Sequence, residues 1–232
     1  MCSRTSSNCE VANMRKTVLI TGASGGLGLE FARIYAREGF NLVVVARSEG
    51  KLYKLKSELE TQYDCHVWVL AQDLSQPDAA YEVFNYTLEK NITIDALVNN
   101  AGFGDFGNFW EVDAQRQTDL LQVNIMTLVQ LTRYFLPGMV ERRHGSVLNL
   151  SSVAAFSAGP RMCLYYASKE FVRSFSEAVA EEVRSTGVTV TALCPGPTAT
   201  GFEQAAQMKN SHMFSMFCLL YTSPSPRDRT RY

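Results

Sequence analysis

The chain has 232 residues, is 46% hydrophobic and 19% charged, and carries 22 basic against 23 acidic side chains for a formal net charge of -1. This apolar fraction excludes intrinsic disorder, and the balanced charge lacks the basic stripe with which a nucleic-acid binder displaces counterions. A length of this order predicts a single domain with one core.

The first thirteen residues are polar and lack the apolar stretch of a signal peptide, and Met14 offers a second possible start. From Lys16 onward, short β-branched runs alternate with longer amphipathic ones. Strands are predicted over 17–21, 42–45, 67–70, 96–98, 146–150 and 188–193, and helices over 27–38, 49–63, 78–90, 114–142 and 162–186. This alternation is the pattern of repeated βαβ units: an α/β fold in three layers, with a single Rossmann-like, doubly wound parallel sheet covered on both faces. The last two helices carry apolar residues on more than one side (Leu120, Leu121, Val123, Leu128, Val129, Leu131). A second buried face of that kind predicts a homodimer or homotetramer built on these helices.

After the sixth strand the pattern fades. The apolar run 213–221 is broken by Ser215 and falls short of the ~20 residues that span a bilayer. The segment YTSPSPRDRTRY over 221–232 has a disordered composition and resembles vector-derived sequence. The expected domain is 14–217, with 1–13 and 218–232 as disordered or non-native tails. Six cysteines (Cys2, Cys9, Cys65, Cys163, Cys194, Cys218) form neither a Cys-x-x-Cys nor a zinc-spaced Cys/His set. Free thiols, no metal and a cytoplasmic location are the expectation.

Three constellations carry chemistry. Directly after the first strand, Thr21-Gly22-Ala23-Ser24-Gly25-Gly26-Leu27-Gly28 opens a helix. Glycines there allow a tight turn and close backbone approach to a pyrophosphate, and the helix N-terminus offers N–H groups to the anion. At the end of the second strand stand Ala46 and Arg47, with no acid to hold a ribose 2′-OH; a basic residue suits a 2′-phosphate, which favours NADP over NAD. Glu49 lies close by in sequence. Finally, Tyr165 and Lys169 share one helix face at spacing i, i+4, where an ammonium favours a phenolate and makes Tyr165 a general acid/base candidate. Tyr166 would pair with Glu170 instead. Ser152, Asn99, Asn100 and Pro195 all fall at carboxyl ends of predicted strands, where ligands bind in a doubly wound sheet.

Together these residues resemble the short-chain dehydrogenase/reductase family over 16–203. The motifs are TGASGGLG from Thr21 to Gly28, Asp73-Leu74, Asn99-Asn100-Ala101-Gly102, Asn124, Ser152, Tyr165-Tyr166-Ala167-Ser168-Lys169, and Pro195-Gly196-Pro197-Thr198-Ala199-Thr200. The resemblance implies that Tyr165 exchanges a proton with the substrate oxygen while Ser152 holds that oxygen. It implies that Lys169 binds the nicotinamide ribose and depresses the Tyr165 pKa, with Asn124 positioning Lys169 through a water. For the cofactor it implies Gly22, Ser24, Gly26, Leu27 and Gly28 at the pyrophosphate, Asp73 and Leu74 near the adenine, and Asn100, Ala101 and Gly102 along the backbone. Pro195, Gly196, Thr198 and Thr200 would meet the nicotinamide end.

The activity implied is NADPH-preferring reduction of a carbonyl, or the reverse oxidation of an alcohol. The aromatic loop Phe103, Phe106, Phe109 and Trp110, with Phe156, Met162 and Phe202, suits a bulky apolar ketone or aldehyde: a 3-oxoacyl, steroid-like or retinoid-like compound. Nucleotide-sugar epimerases share Tyr-x-x-x-Lys but are longer and space their glycines differently. A non-catalytic nucleotide-binding protein or an inactive fragment is the remaining alternative, because the family continues into a seventh strand for which no β-branched run follows Leu220.

Overall fold

The computed structural model describes residues 15–196. Each predicted strand and helix within that span is present, with ends shifted by a few residues. The elements are β1 (Thr17–Thr21), α1 (Gly26–Arg37), β2 (Asn41–Ala46), α2 (Glu49–Gln62), β3 (Val67–Ala71), α3 (Ala79–Glu89), β4 (Ala96–Asn99), α4 (Ala114–Leu121), α5 (Leu128–Glu141), β5 (Gly145–Leu150), α6 (Cys163–Glu182) and β6 (Val188–Leu193). The six strands form one parallel sheet in the order β3-β2-β1-β4-β5-β6.

Alternation along the central strands divides the core between the two faces of the sheet. Val18, Ile20, Leu42 and Val44 pack with Ala32 and Ala36 of α1 and Leu52, Leu55 and Leu59 of α2. Leu19, Val43, Val45 and Leu97 pack with Val83 of α3, Leu131, Phe135 and Met139 of α5, and Val179 of α6. With helices on both faces, every strand position is buried along β1, which explains its unbroken apolar run. The same packing accounts for part of the apolar excess on the long helices: Leu120, Leu128 and Leu131 are buried within the chain itself, and Val123 packs against the core.

One expected element differs in kind. The long helix over 114–142 is not uniformly α-helical; Gln122–Thr127 between α4 and α5 is a π-helical turn. A wider turn of this kind re-aims side chains and occurs often at functional sites. Here it buries Asn124 completely. The seventh strand, the tails, and Thr198, Thr200 and Phe202 lie outside the described residues.

The chain reverses direction of winding between β1 and β4, so the loops after these two strands diverge and leave a crevice at their carboxyl ends. The glycine loop follows β1 and Asn100-Ala101-Gly102 follows β4. The fold therefore brings these distant motifs to one edge of the sheet.

Candidate active site

The glycine loop is locked to the start of the segment after β4. Thr21 Oγ1 accepts hydrogen bonds from the N–H groups of Asn100 and Ala101, both at 3.0 Å, and Asn100 Nδ2 donates to the Thr21 carbonyl at 2.9 Å. Gly22 turns the chain with φ +68 and donates to the Val45 carbonyl at 2.8 Å. A Cβ on Gly28 would lie 2.3 Å from the Gly22 carbonyl oxygen and 2.5 Å from Asn100 Nδ2, so no larger residue fits without moving backbone. Gly25 is the opposite case: a Cβ there meets nothing within 4 Å. Helix α1 begins at this open point with no side-chain cap and no acid in its first turn. Its N-terminal N–H groups have no intrahelical acceptors and face a space fit for an anion.

Arg47, just beyond the end of β2, is exposed and has no ion-pair or side-chain hydrogen-bond partner among the described residues. After β3, the neighbour of β2, Asp73 folds the chain by accepting from the Ser75 N–H and hydroxyl, while Leu74 is buried and its carbonyl accepts from Thr127 at 2.9 Å. These residues fit a dinucleotide laid across the strand ends: an open N-terminus for the pyrophosphate, a cation at one end, and buried polar machinery at the other.

That machinery gathers around β5 and α6. Ser152 follows β5 in extended conformation and caps a short helical turn, accepting from the Ala154 N–H at 3.1 Å. Val153 N–H donates to the Pro195 carbonyl at 3.1 Å, which ties the segment after β6 to the same corner. The Ser152 and Tyr165 side chains are hydrogen-bonded to each other. Burial pushes the Tyr165 phenol above its ordinary value, with the Ser152 hydrogen bond pulling it down and nearby Tyr166 adding to the rise. Tyr166 is turned away and packed on Gly159, where a Cβ would lie 2.2 Å from its ring.

Lys169 sits one turn after Tyr165, and its Nζ is 5.8 Å from the Tyr165 ring centroid. The ammonium donates to the Leu150 carbonyl at 2.7 Å, and burial lowers its pKa from 10.5 to about 8, with Cys194 opposing.

Asn124 holds the neighbouring loop rather than Lys169 directly. Its Oδ1 accepts from the Phe103 N–H at 3.1 Å, and its Nδ2 donates to the Phe103 carbonyl and to Ser168 Oγ, both at 3.0 Å. Ser168 in turn donates to the Tyr165 carbonyl at 2.7 Å. Asn124 and Lys169 nevertheless meet across Gly102, where a Cβ would stand 3.0 Å from Asn124 Oδ1 and 3.3 Å from Lys169 Nζ.

Two interactions have no counterpart in the sequence motifs. Asn99 Nδ2 donates to Asn149 Oδ1 at 2.9 Å, and Asn149 Nδ2 donates to Ser176 Oγ at 2.9 Å, a buried ladder joining β4, β5 and α6. Asp105 pairs with Arg116 at 3.1 Å and fastens the aromatic loop to α4. A cleft beside Tyr165 is lined by Asp105, Phe109, Arg161, Met162 and Leu164 among others. Phe106 packs with Met162 and both tyrosines behind it. Trp110, at 79% exposure, and Phe156 face outward instead.

Residues 16–211 match the model of the short chain dehydrogenase family. The chain belongs to that family. It is 36% identical over 177 residues to the very-long-chain 3-oxoacyl-CoA reductase of Pyrenophora tritici-repentis, covering 74% of this chain and 52% of that one. The chain thus spans about half the length of the first curated relatives it matches. Among solved short-chain dehydrogenases, that from Sphingobium yanoikuyae in complex with NADPH superposes with a TM-score of 0.79 at 33% identity, covering 83% of this chain and 75% of the other. The bulky-bulky ketone specific alcohol dehydrogenase from Comamonas testosteroni gives 0.76 at 34% identity, with 79% and 73% covered. Membership fixes the class of fold and a nicotinamide dinucleotide as the type of cofactor. Among the described residues no helix is long and apolar enough to cross a membrane.

Proposed function

We propose that this chain reduces a bulky, largely apolar ketone or aldehyde with NADPH, or runs the reverse oxidation, with Tyr165 as the acid/base. The observation that carries this reading is the pairing of Ser152 with Tyr165, which lines a largely apolar cleft, with buried Lys169 one turn further on. The bound nicotinamide supplies the hydride. Ser152 and Tyr165 orient the substrate oxygen, and the Tyr165 hydroxyl gives it a proton as negative charge develops there. A phenol is protonated near neutral pH and burial raises Tyr165 further, so its hydroxyl is available as the general acid of the reducing direction. Lys169, whose Nζ stands beside Gly102, would hold the ribose of the cofactor, and Asn124 fixes the loop that carries this glycine.

Exposed, unpaired Arg47 supports NADP over NAD, as does the NADPH complex of the Sphingobium relative. The substrate class is supported by Phe109, Met162 and Leu164 along the cleft and by the relatives that act on very long 3-oxoacyl chains and on bulky ketones. Unpaired thiols at Cys65, Cys163 and Cys194 fit a reducing compartment such as the cytoplasm. Exposed Met126 and Phe171 are the apolar groups that would carry self-association through α4–α5 and α6.

The test is NADPH oxidation across a panel of lipophilic ketones and small polar sugars. Tyr165→Phe is expected to cut turnover about 10²- to 10⁴-fold, the usual worth of a positioned acid, while NADPH binds with near wild-type Kd. Retained turnover in that variant overturns the assignment of Tyr165, and a preference for polar sugars overturns the substrate class.

A further inference from the structure

Asp105 is the acid of a cleft whose other lining residues are mostly apolar, with Gln117 and Arg161 as polar neighbours, and its two carboxylate oxygens are used unequally. Oδ1 accepts from Arg116 Nε at 3.1 Å and from the Phe106 N–H at 3.0 Å. Oδ2 is buried and has no hydrogen-bond donor among the described residues, in a residue left only 8% exposed. A buried carboxylate oxygen without a donor forfeits most of its hydration, and such atoms are rare in folded proteins. Asp105 also lines the cleft that Tyr165 lines.

The carboxylate is held stiffly. Arg116 stands in the first turn of α4, donates also to the Gly104 carbonyl at 3.3 Å, and lies over the Phe103 ring with its guanidinium carbon 5.2 Å from the centroid. The loop is pinned from its other end by Asn124 on Phe103. Oδ2 therefore stays in place whether or not a ligand is bound, which is the condition for a selective polar contact.

We infer that Asp105 Oδ2 is a specificity-determining acceptor that takes a neutral hydrogen-bond donor, a hydroxyl or an amide N–H, carried by the substrate at a distance from its reacting carbonyl. Charge selects neutral over cationic donors. Arg116 already compensates the carboxylate, and Arg161, which lines the same cleft over the Phe106 ring at 4.8 Å, has no acidic partner among the described residues and repels a second cation. A substrate of purely hydrocarbon character leaves the already buried Oδ2 uncompensated, whereas one with a donor at the right depth satisfies it. The inference rests on the ketone-reductase reading and adds to it that the apolar substrate carries one polar, donor-bearing point.

The experiment uses the full chain and linear methyl ketones of increasing length, each in three forms: hydroxyl-ended, amide-ended and methyl-ended. Dissociation constants by calorimetry and kcat/KM with NADPH are measured for each set. At the length that reaches Asp105, the hydroxyl- or amide-ended ketone is expected to bind about tenfold or more tighter than its methyl-ended partner, the worth of one hydrogen bond to a charged acceptor. Whichever of the two ends wins identifies the donor. In Asp105→Asn and Asp105→Ala that ratio is expected to fall toward one. A purely structural role lowers the affinity of all three forms together and leaves the ratio intact.

Equal binding of the three forms by the wild-type chain at every length overturns the inference, as does a wild-type ratio in both variants. Binding is read without turnover. Preferential binding with no NADPH oxidation would overturn the reductase reading while leaving the acceptor in place, so the two failures are distinguishable.

Discussion

Ser152 sets the acidity of Tyr165 against the surroundings. Burial and Tyr166 push the phenol up, and the Ser152 hydrogen bond pulls it down. Under the proposed mechanism alcohol oxidation uses the Tyr165 phenolate, so the rate is expected to rise as pH passes through the Tyr165 pKa. Ser152→Ala removes the lowering contribution, and the ascending limb of kcat/KM against pH is expected to move to higher pH as the plateau falls. A lowered plateau with an unmoved limb would mean that Ser152 only places the substrate. At this scale much of the site was readable in the sequence, since Ser152, Tyr165 and Lys169 follow from residue type and position relative to β5 and α6. The Asp105–Arg116 pair was not, because ten residues of irregular loop and helix start lie between them and no periodicity links the two. Nor does any motif show that Asn124 bonds to Phe103 and Ser168, which depends on the π-helical turn.

At the scale of elements, the β-branched run Thr17–Thr21 announced its strand because burial on both faces demands apolar residues at every position, whereas Val188–Leu193 announced itself by alternation, with Val188 and Val190 buried and Thr189 and Thr191 exposed. The π-helical turn escaped because Gln122–Thr127 differs from an α-helix only in which carbonyl each N–H reaches, and its composition is ordinary for a helix. The glycine loop was legible as a whole, yet only the structure separates its glycines by role. Gly28→Ala forces a Cβ into the Gly22 carbonyl and Asn100, so a loss of about 1–3 kcal/mol in unfolding free energy is expected together with weakened NADPH binding. Gly25→Ala adds a methyl to open space at the start of α1, in an extended conformation that alanine adopts freely. It is expected to leave the unfolding midpoint unchanged and to weaken NADPH binding alone. Equal midpoint losses in the two variants, measured by denaturant titration, would refute this division of labour.

Across the whole molecule, the sheet order carries the glycine loop, Asn100 and Ser152 to one edge, and the core beneath them leaves Lys169 only 6% exposed. This placement has a thermodynamic consequence in the cofactor-free protein. Lys169 has a folded pKa of about 8 against an ordinary 10.5, so between these values the unfolded chain binds the proton more tightly. Stability linked to Lys169 therefore rises with pH through that window, and below about pH 8 the fold bears the full penalty of a buried ammonium. The difference of 2.5 pH units corresponds to about 3 kcal/mol. Lys169→Met removes the titration and also leaves the Leu150 carbonyl without its donor, so the absolute change at one pH mixes two effects. The pH dependence separates them. Relative to Lys169→Met, the wild-type unfolding free energy is expected to increase by an amount of order 3 kcal/mol from pH 8 to pH 10.5, because other titrating groups cancel in the difference. Parallel stability curves over that range would show that the Lys169 ammonium is not penalised by the fold, and that its burial costs the enzyme nothing.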